Sequence, residues 1–144
     1  MSHFRRPLRI LLIALAGFLA LSAVPGGLTL LAGLYTPPVE QLQGSVFTAF
    51  TIPGLFLLLV VGGSAVLSTV LLVRRSRLAL ASAAFAGLIV MSFEFVEVLA
   101  IGSPAGPARV MQLLYFGVGI ALVVASTAGM LIDTLEPSSA VKAQ

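Results

Sequence analysis

Glu94 and Glu97 stand three residues apart within an apolar run over 78–101. On a helix that spacing puts both carboxylates on one face. A charge inside a bilayer costs at least a few kcal/mol on the insertion scale, so such side chains avoid lipid and mark a paired or functional site. The next apolar segment carries a matching stripe of Gln112, Tyr115 and Gly119, with Ser126 deeper and Arg109 one turn above Gln112. Glu97 and Gln112 each lie about four residues from the turn joining the two segments, roughly 6 Å down at the helical rise. Glu94 and Tyr115 lie about seven residues in, near 10 Å by the same rise. The two stripes are expected to face each other.

Three kinds of chemistry fit this cluster. In the first, Arg109 pairs with one glutamate, most readily Glu97, while Tyr115, Gln112 or Thr51 satisfies the other and the helices are locked together. In the second, the carboxylates open outward and bind a cation, an amine or a lipid headgroup. In the third, two adjacent carboxylates exchange a proton and couple it to transport. The deeper Glu94 is expected to be the neutral member, because low dielectric disfavours charge. Two glutamates without a Glu-x-x-His element are a weak metal signal, so no metal is expected. His3 is the single histidine and cysteine is absent, which excludes bis-histidine haem ligation, thiolate chemistry and Ser-His-Asp or Cys-His catalysis. No catalytic activity of its own and no cofactor are expected.

The elements that position these residues follow from composition. Of 144 residues, 59% are hydrophobic and 9% charged, with a mean hydropathy of +1.14, whereas about a quarter of a soluble domain is charged. The pattern predicts an all-α membrane protein with four transmembrane helices in an antiparallel bundle, over about 7–34, 51–74, 78–101 and 107–132. Residues 1–136 form a single domain, with an outer loop over 35–50 and a flexible cytoplasmic tail over 137–144. The basic start and the apolar 10–24 stretch also suit a signal peptide. Apolar character resumes at 28–34, which favours one helix, kinked or interrupted at Pro25.

The loop is too polar to span; it is expected to hold a short helix near 39–43, with Tyr35, Phe47 and Phe50 at headgroup level. Thr51 caps the second helix just ahead of Pro53. Gly62, Gly63, Ser64, Ala65, Ser68 and Thr69 form a small-residue patch suited to helix packing. Val90, Gly87 and Ala83 continue the glutamate face of the third helix. Pro107 opens the fourth helix, and Asp133, Glu136 and Pro137 end it.

Basic residues flank the apolar segments and form no stripe for nucleic acid. Of eight Lys and Arg residues, only Arg109 falls on the side of the first loop. The positive-inside rule then places both termini in the cytoplasm and the glutamates in the outer third of the membrane.

The segments Thr51-Ile52-Pro53-Gly54, Val60-Val61-Gly62-Gly63-Ser64, Glu94-Phe-Val-Glu97-Val-Leu-Ala-Ile101-Gly102 and Gln112-Leu-Leu-Tyr115-Phe116-Gly117-Val-Gly119 occur in that order. Together they resemble a family of small, uncharacterised four-helix bacterial membrane proteins. The resemblance implies a multi-pass protein of the bacterial cytoplasmic membrane and transfers no activity. The inner halves of helices two to four are apolar and offer no relay to the cytoplasm, so the expected role is an accessory or ligand-binding protein for a lipid, amine or cation. Its partners are the bilayer, with a larger membrane complex or a homo-oligomer beside it. A small proton-coupled transporter acting as an oligomer is the alternative.

Overall fold

A computed structural model describes residues 2–34 and 36–135. Four helices make up the bundle: α1 (Ser2–Leu31), α2 (Thr51–Val73), α3 (Ala79–Ile101) and α4 (Pro107–Leu135). Each is long and apolar enough to cross a membrane. Large apolar side chains such as Leu21, Leu59, Phe85 and Leu113 point outward from all four. An apolar exterior of this kind belongs in lipid, and the chain is a multi-pass membrane protein. The tail expected over 137–144, and Tyr35, lie outside the described residues.

Helix α1 runs unbroken through Pro25 and stops at Leu31, three residues before the expected end at 34. Pro25 lies on an exposed face, where its missing N–H leaves only one carbonyl of the ladder unpaired. The adjacent glycines serve packing. A Cβ on Gly27 would fall 2.7 Å from the Leu58 backbone nitrogen, and one on Gly62 would fall 2.8 Å from Val24 Cγ2. At Gly33 (φ +66°) the chain reverses, and the Leu34 N–H reaches back to the Thr29 carbonyl at 3.1 Å. That bond closes the helix with a glycine C-cap.

Helix α2 contains a feature that sequence pattern did not indicate. Phe56–Gly62 is a π-helical segment between α-helical Thr51–Leu55 and Gly63–Val73. Such segments are rare and gather at functional sites. Thr51 is exposed and forms the first turn; Phe50 occupies the cap position, and no side chain caps it. Helix α4 continues past Ile132, so Asp133 lies within it and pairs with Arg5 at 3.2 Å.

The helices form a ring in which α1 packs on α2 and α4, and α3 packs on the same two. The tightest seam joins α3 to α4. A Cβ on Gly87 would meet the Gly119 carbonyl oxygen at 2.7 Å, and one on Gly129 would meet Leu80 at 3.1 Å. Leu12, Ala16, Ala65, Ala83 and Leu122 fill the centre and are wholly buried. Against α3, α2 is closely packed along Gly63–Val73. Among the described residues Thr51–Leu55 makes no contact with α3, so the pair diverges toward the 36–50 loop. A 3-10 turn at Val39–Leu42 caps this gap and touches α3, matching the short helix expected there.

Candidate functional site

The expected small-residue and carboxylate face of α3 is present: Ala83, Gly87, Val90 and Glu94 are all buried in the bundle. On α4, Gln112, Gly119 and Ser126 are buried along one stripe, with Tyr115 half-buried between them. The two stripes meet. Gln112 Nε2 donates to Glu97 Oε1 at 3.2 Å and to the Gly102 carbonyl at 3.1 Å. Gly102 ends α3 with φ +73°, a left-handed turn that favours glycine and leaves its carbonyl open to Gln112. One side-chain amide therefore ties the glutamate, the end of α3 and the start of α4 together.

Arg109 does not join them. The expected pairing with Glu97 is replaced by bonds to the turn: the guanidinium donates to the Ser103 carbonyl through Nε at 3.2 Å and also through Nη2. Nε additionally lies 3.3 Å from Ser103 Oγ. The physical reason is reach and solvation. Arg109 is exposed at the end of the bundle, and a carbonyl six residues back meets its fork without burial of the charge. Thr51 is also outside the site, exposed at the start of α2 and on neither cavity wall.

The glutamates open onto a cavity of about 180 Å³ at the centre of the ring. All four helices line it: Ser22 from α1, Leu57 and Val61 from the π-helical part of α2, Glu94 and Glu97 from α3, and Gln112 and Tyr115 from α4. Tyr115 is backed by Phe18, their rings stacked with centroids 6.0 Å apart and planes 21° from parallel. Glu94 is 6% exposed and Gln112 5%. Glu94 makes no hydrogen bond to another described residue, and Gln112 Oε1 is buried without a partner. Because Gln112 Nε2 faces two oxygens, its amide orientation is fixed and Oε1 stays an acceptor.

A second, larger recess of about 490 Å³ fills the divergence of α2 and α3 beneath the 36–50 loop. Its lining is almost wholly apolar, with Phe47 and Phe50 of the loop forming part of it. Phe50 is buried there against the bundle. Val61, Phe93 and Glu97 line both spaces and form the wall between them.

Ser22, Leu57, Val61 and Phe93 are among the cavity-lining residues that sequence reasoning missed. Ser22 alone had a visible signal, as the one hydroxyl in the apolar 10–24 stretch. Among the described residues no group of three or more His, Cys, Asp or Glu side chains could hold a metal. No protein-family model, curated protein or solved structure matches the chain.

Proposed function

We propose that this chain is a ligand-binding or accessory protein of the bacterial cytoplasmic membrane, with no catalysis of its own. Its site is Glu94, Glu97 and Gln112, with Tyr115 in the wall. The observation that carries this reading is Gln112 Oε1, buried without a partner, beside the Glu94 carboxyl, which makes no hydrogen bond to a described residue and faces the same cavity. A buried acceptor without a donor costs about 1–3 kcal/mol. A ligand that brings donors removes that cost. No cation of the described residues bonds to either glutamate, and the donor the ligand brings is best a positive one.

The membrane orientation belongs to the same proposal. Antiparallel packing is supported by the meeting of Glu97 with Gln112 and of Gly87 with Gly119, and both termini in the cytoplasm by the distribution of Lys and Arg along the chain. The site then lies toward the outer surface. Proton-coupled transport would need a polar route from the cavity to the arginine-rich end. Ala16, Ala65, Ala83, Ala86 and Leu122 occupy the intervening core without exposure. Its polar groups are the buried hydroxyls of Ser68 and Ser126, with no charged side chain over 79–93 or 113–132 to relay a proton, which favours binding over transport.

The test is thermal unfolding in one detergent with butylammonium, butanol or butyrate. Butylammonium is expected to raise the midpoint, since a ligand at a hundred times its Kd adds about 2.7 kcal/mol. Butanol and butyrate should leave it unchanged, and Glu94→Gln should reduce the butylammonium effect. An equal shift from butyrate, or none from any of the three, would rule the reading out.

A further inference from the structure

The cavity holding the acceptors adjoins the apolar recess at Glu97. Val61 and Phe93 stand beside Glu97 in the wall shared with the apolar recess between α2 and α3. At about 490 Å³ the recess has the size of an organic-ligand pocket, roughly 300–1,000 Å³. It follows α3 from Ile101 to Phe85, and Phe85 lies three turns from Glu97, about 18 Å along the axis at the helical rise. A polar compartment and an apolar compartment therefore adjoin at one carboxylate.

We propose that the ligand is a single-chain amphiphile with a protonated amine head and no phosphate. This rests on the binding role given above and adds the identity of the ligand. The head lies at Glu97, Glu94 and Gln112 Oε1, and the chain passes Phe93 and Val61 to lie between α2 and α3 toward Phe85. Charge complementarity decides the head. A primary ammonium carries three donors, and the cavity presents Gln112 Oε1, buried without a partner, beside the carboxyls of Glu94 and Glu97. A phosphate would bring further acceptors to two carboxylates, with Arg109 committed to the outer turn. A neutral alcohol offers one donor and no charge.

The absence of tryptophan from the sequence makes the test direct. Phe85→Trp places a single fluorophore at the lipid-open end of the recess, and Leu113→Trp places one on the lipid-facing side of α4, outside both spaces. Dodecylammonium, dodecanol and dodecyl phosphate, each brominated along the chain, are titrated into both variants in the same detergent. The ammonium is expected to quench the Phe85→Trp variant saturably and the Leu113→Trp variant only without saturation. It should bind more tightly than the alcohol by about tenfold or more, the value of one charge-assisted hydrogen bond. Glu97→Gln in the Phe85→Trp background should erase that preference while thermal unfolding of the double variant remains cooperative.

If the ammonium stabilises the protein in a Glu94-dependent manner but does not quench the Phe85→Trp variant saturably, the chain lies elsewhere and this inference fails while the binding role stands. Equal quenching by all three heads means the recess holds any hydrocarbon chain, which overturns the amine assignment. If, in addition, no amine, long or short, stabilises the protein, the binding role falls with it.

Discussion

At the scale of single residues, the decisive side chain is Gln112, which satisfies Glu97 and the Gly102 carbonyl with one amide nitrogen. Replacing it by leucine removes both bonds, one to half-buried Glu97 and one to the carbonyl of exposed Gly102. Gln112→Leu should therefore lower stability by about 1–3 kcal/mol, the net worth of two hydrogen bonds. Glu97→Gln should cost less, under about 1 kcal/mol, because the new amide oxygen still accepts from Nε2 and no arginine is stranded. Thermal unfolding of the two variants in one detergent ranks them. A larger loss for Glu97→Gln would mean that Arg109 leaves Ser103 to pair with it. This ordering also shows what the sequence could convey. The depth match of Glu97 with Gln112 was legible, because both are counted from one short turn. The destination of Arg109 was not, because a flexible side chain chooses among acceptors by solvation and reach, and the Ser103 carbonyl adds nothing to the residue pattern.

At the scale of elements, glycine decides which helix faces meet. Within the helices, Gly17, Gly63 and Gly117 point to open space, whereas Gly87 and Gly119 abut each other across the α3–α4 seam. A methyl at Gly87 would press on a backbone oxygen that cannot rotate away. Gly87→Ala should destabilise by about 1–3 kcal/mol, the usual cost of overpacking. Gly117→Ala should be neutral or stabilising by up to about 1 kcal/mol, because alanine favours helix and meets no neighbour there. Similar losses for both would place Gly117 in a contact outside the isolated bundle, such as a second copy. The seam itself was readable from sequence, since small residues and carboxylates fell at helical spacing on one face. The π-helical segment was not. Phe56–Gly62 is an apolar run like its neighbours, and its extra-wide turns coincide with close contacts to α1 at Gly27 and Val24. Only the partner helix makes that demand visible. The same holds for the burial of Phe50, which depends on the recess opened by the divergence of α2 and α3.

At the scale of the whole molecule, charge asymmetry and helix packing bear on one question, the orientation in the membrane. Arg5, Arg6 and Arg9 precede or begin the apolar part of α1, and Arg74, Arg75 and Arg77 follow α2. The Arg5–Asp133 pair joins the start of α1 to the last turn of α4, so these arginines share one end of the bundle. Arg109 alone stands at the other end, folded onto its own turn. Lysine and arginine near short loops set topology by resisting translocation, so the end with six arginines should stay in the cytoplasm. A reporter inserted at residue 40, in the loop above the recess, should then read as external, and one fused after residue 140 as cytoplasmic. The site residues depend on that result. With the loop outside, Glu97 lies about one turn from the outer end of α3, and an amphiphile enters from the outer leaflet through the gap between α2 and α3. A cytoplasmic signal at residue 40 would turn the recess to the inner leaflet and invert the source of the ligand while leaving the bundle unchanged. To separate orientation from folding, Arg74, Arg75 and Arg77 can be replaced by glutamine in the same reporters. If positive charge sets the orientation, the external signal at residue 40 should weaken as mixed orientations appear. An unaltered signal would assign the orientation to α1 and its own three arginines.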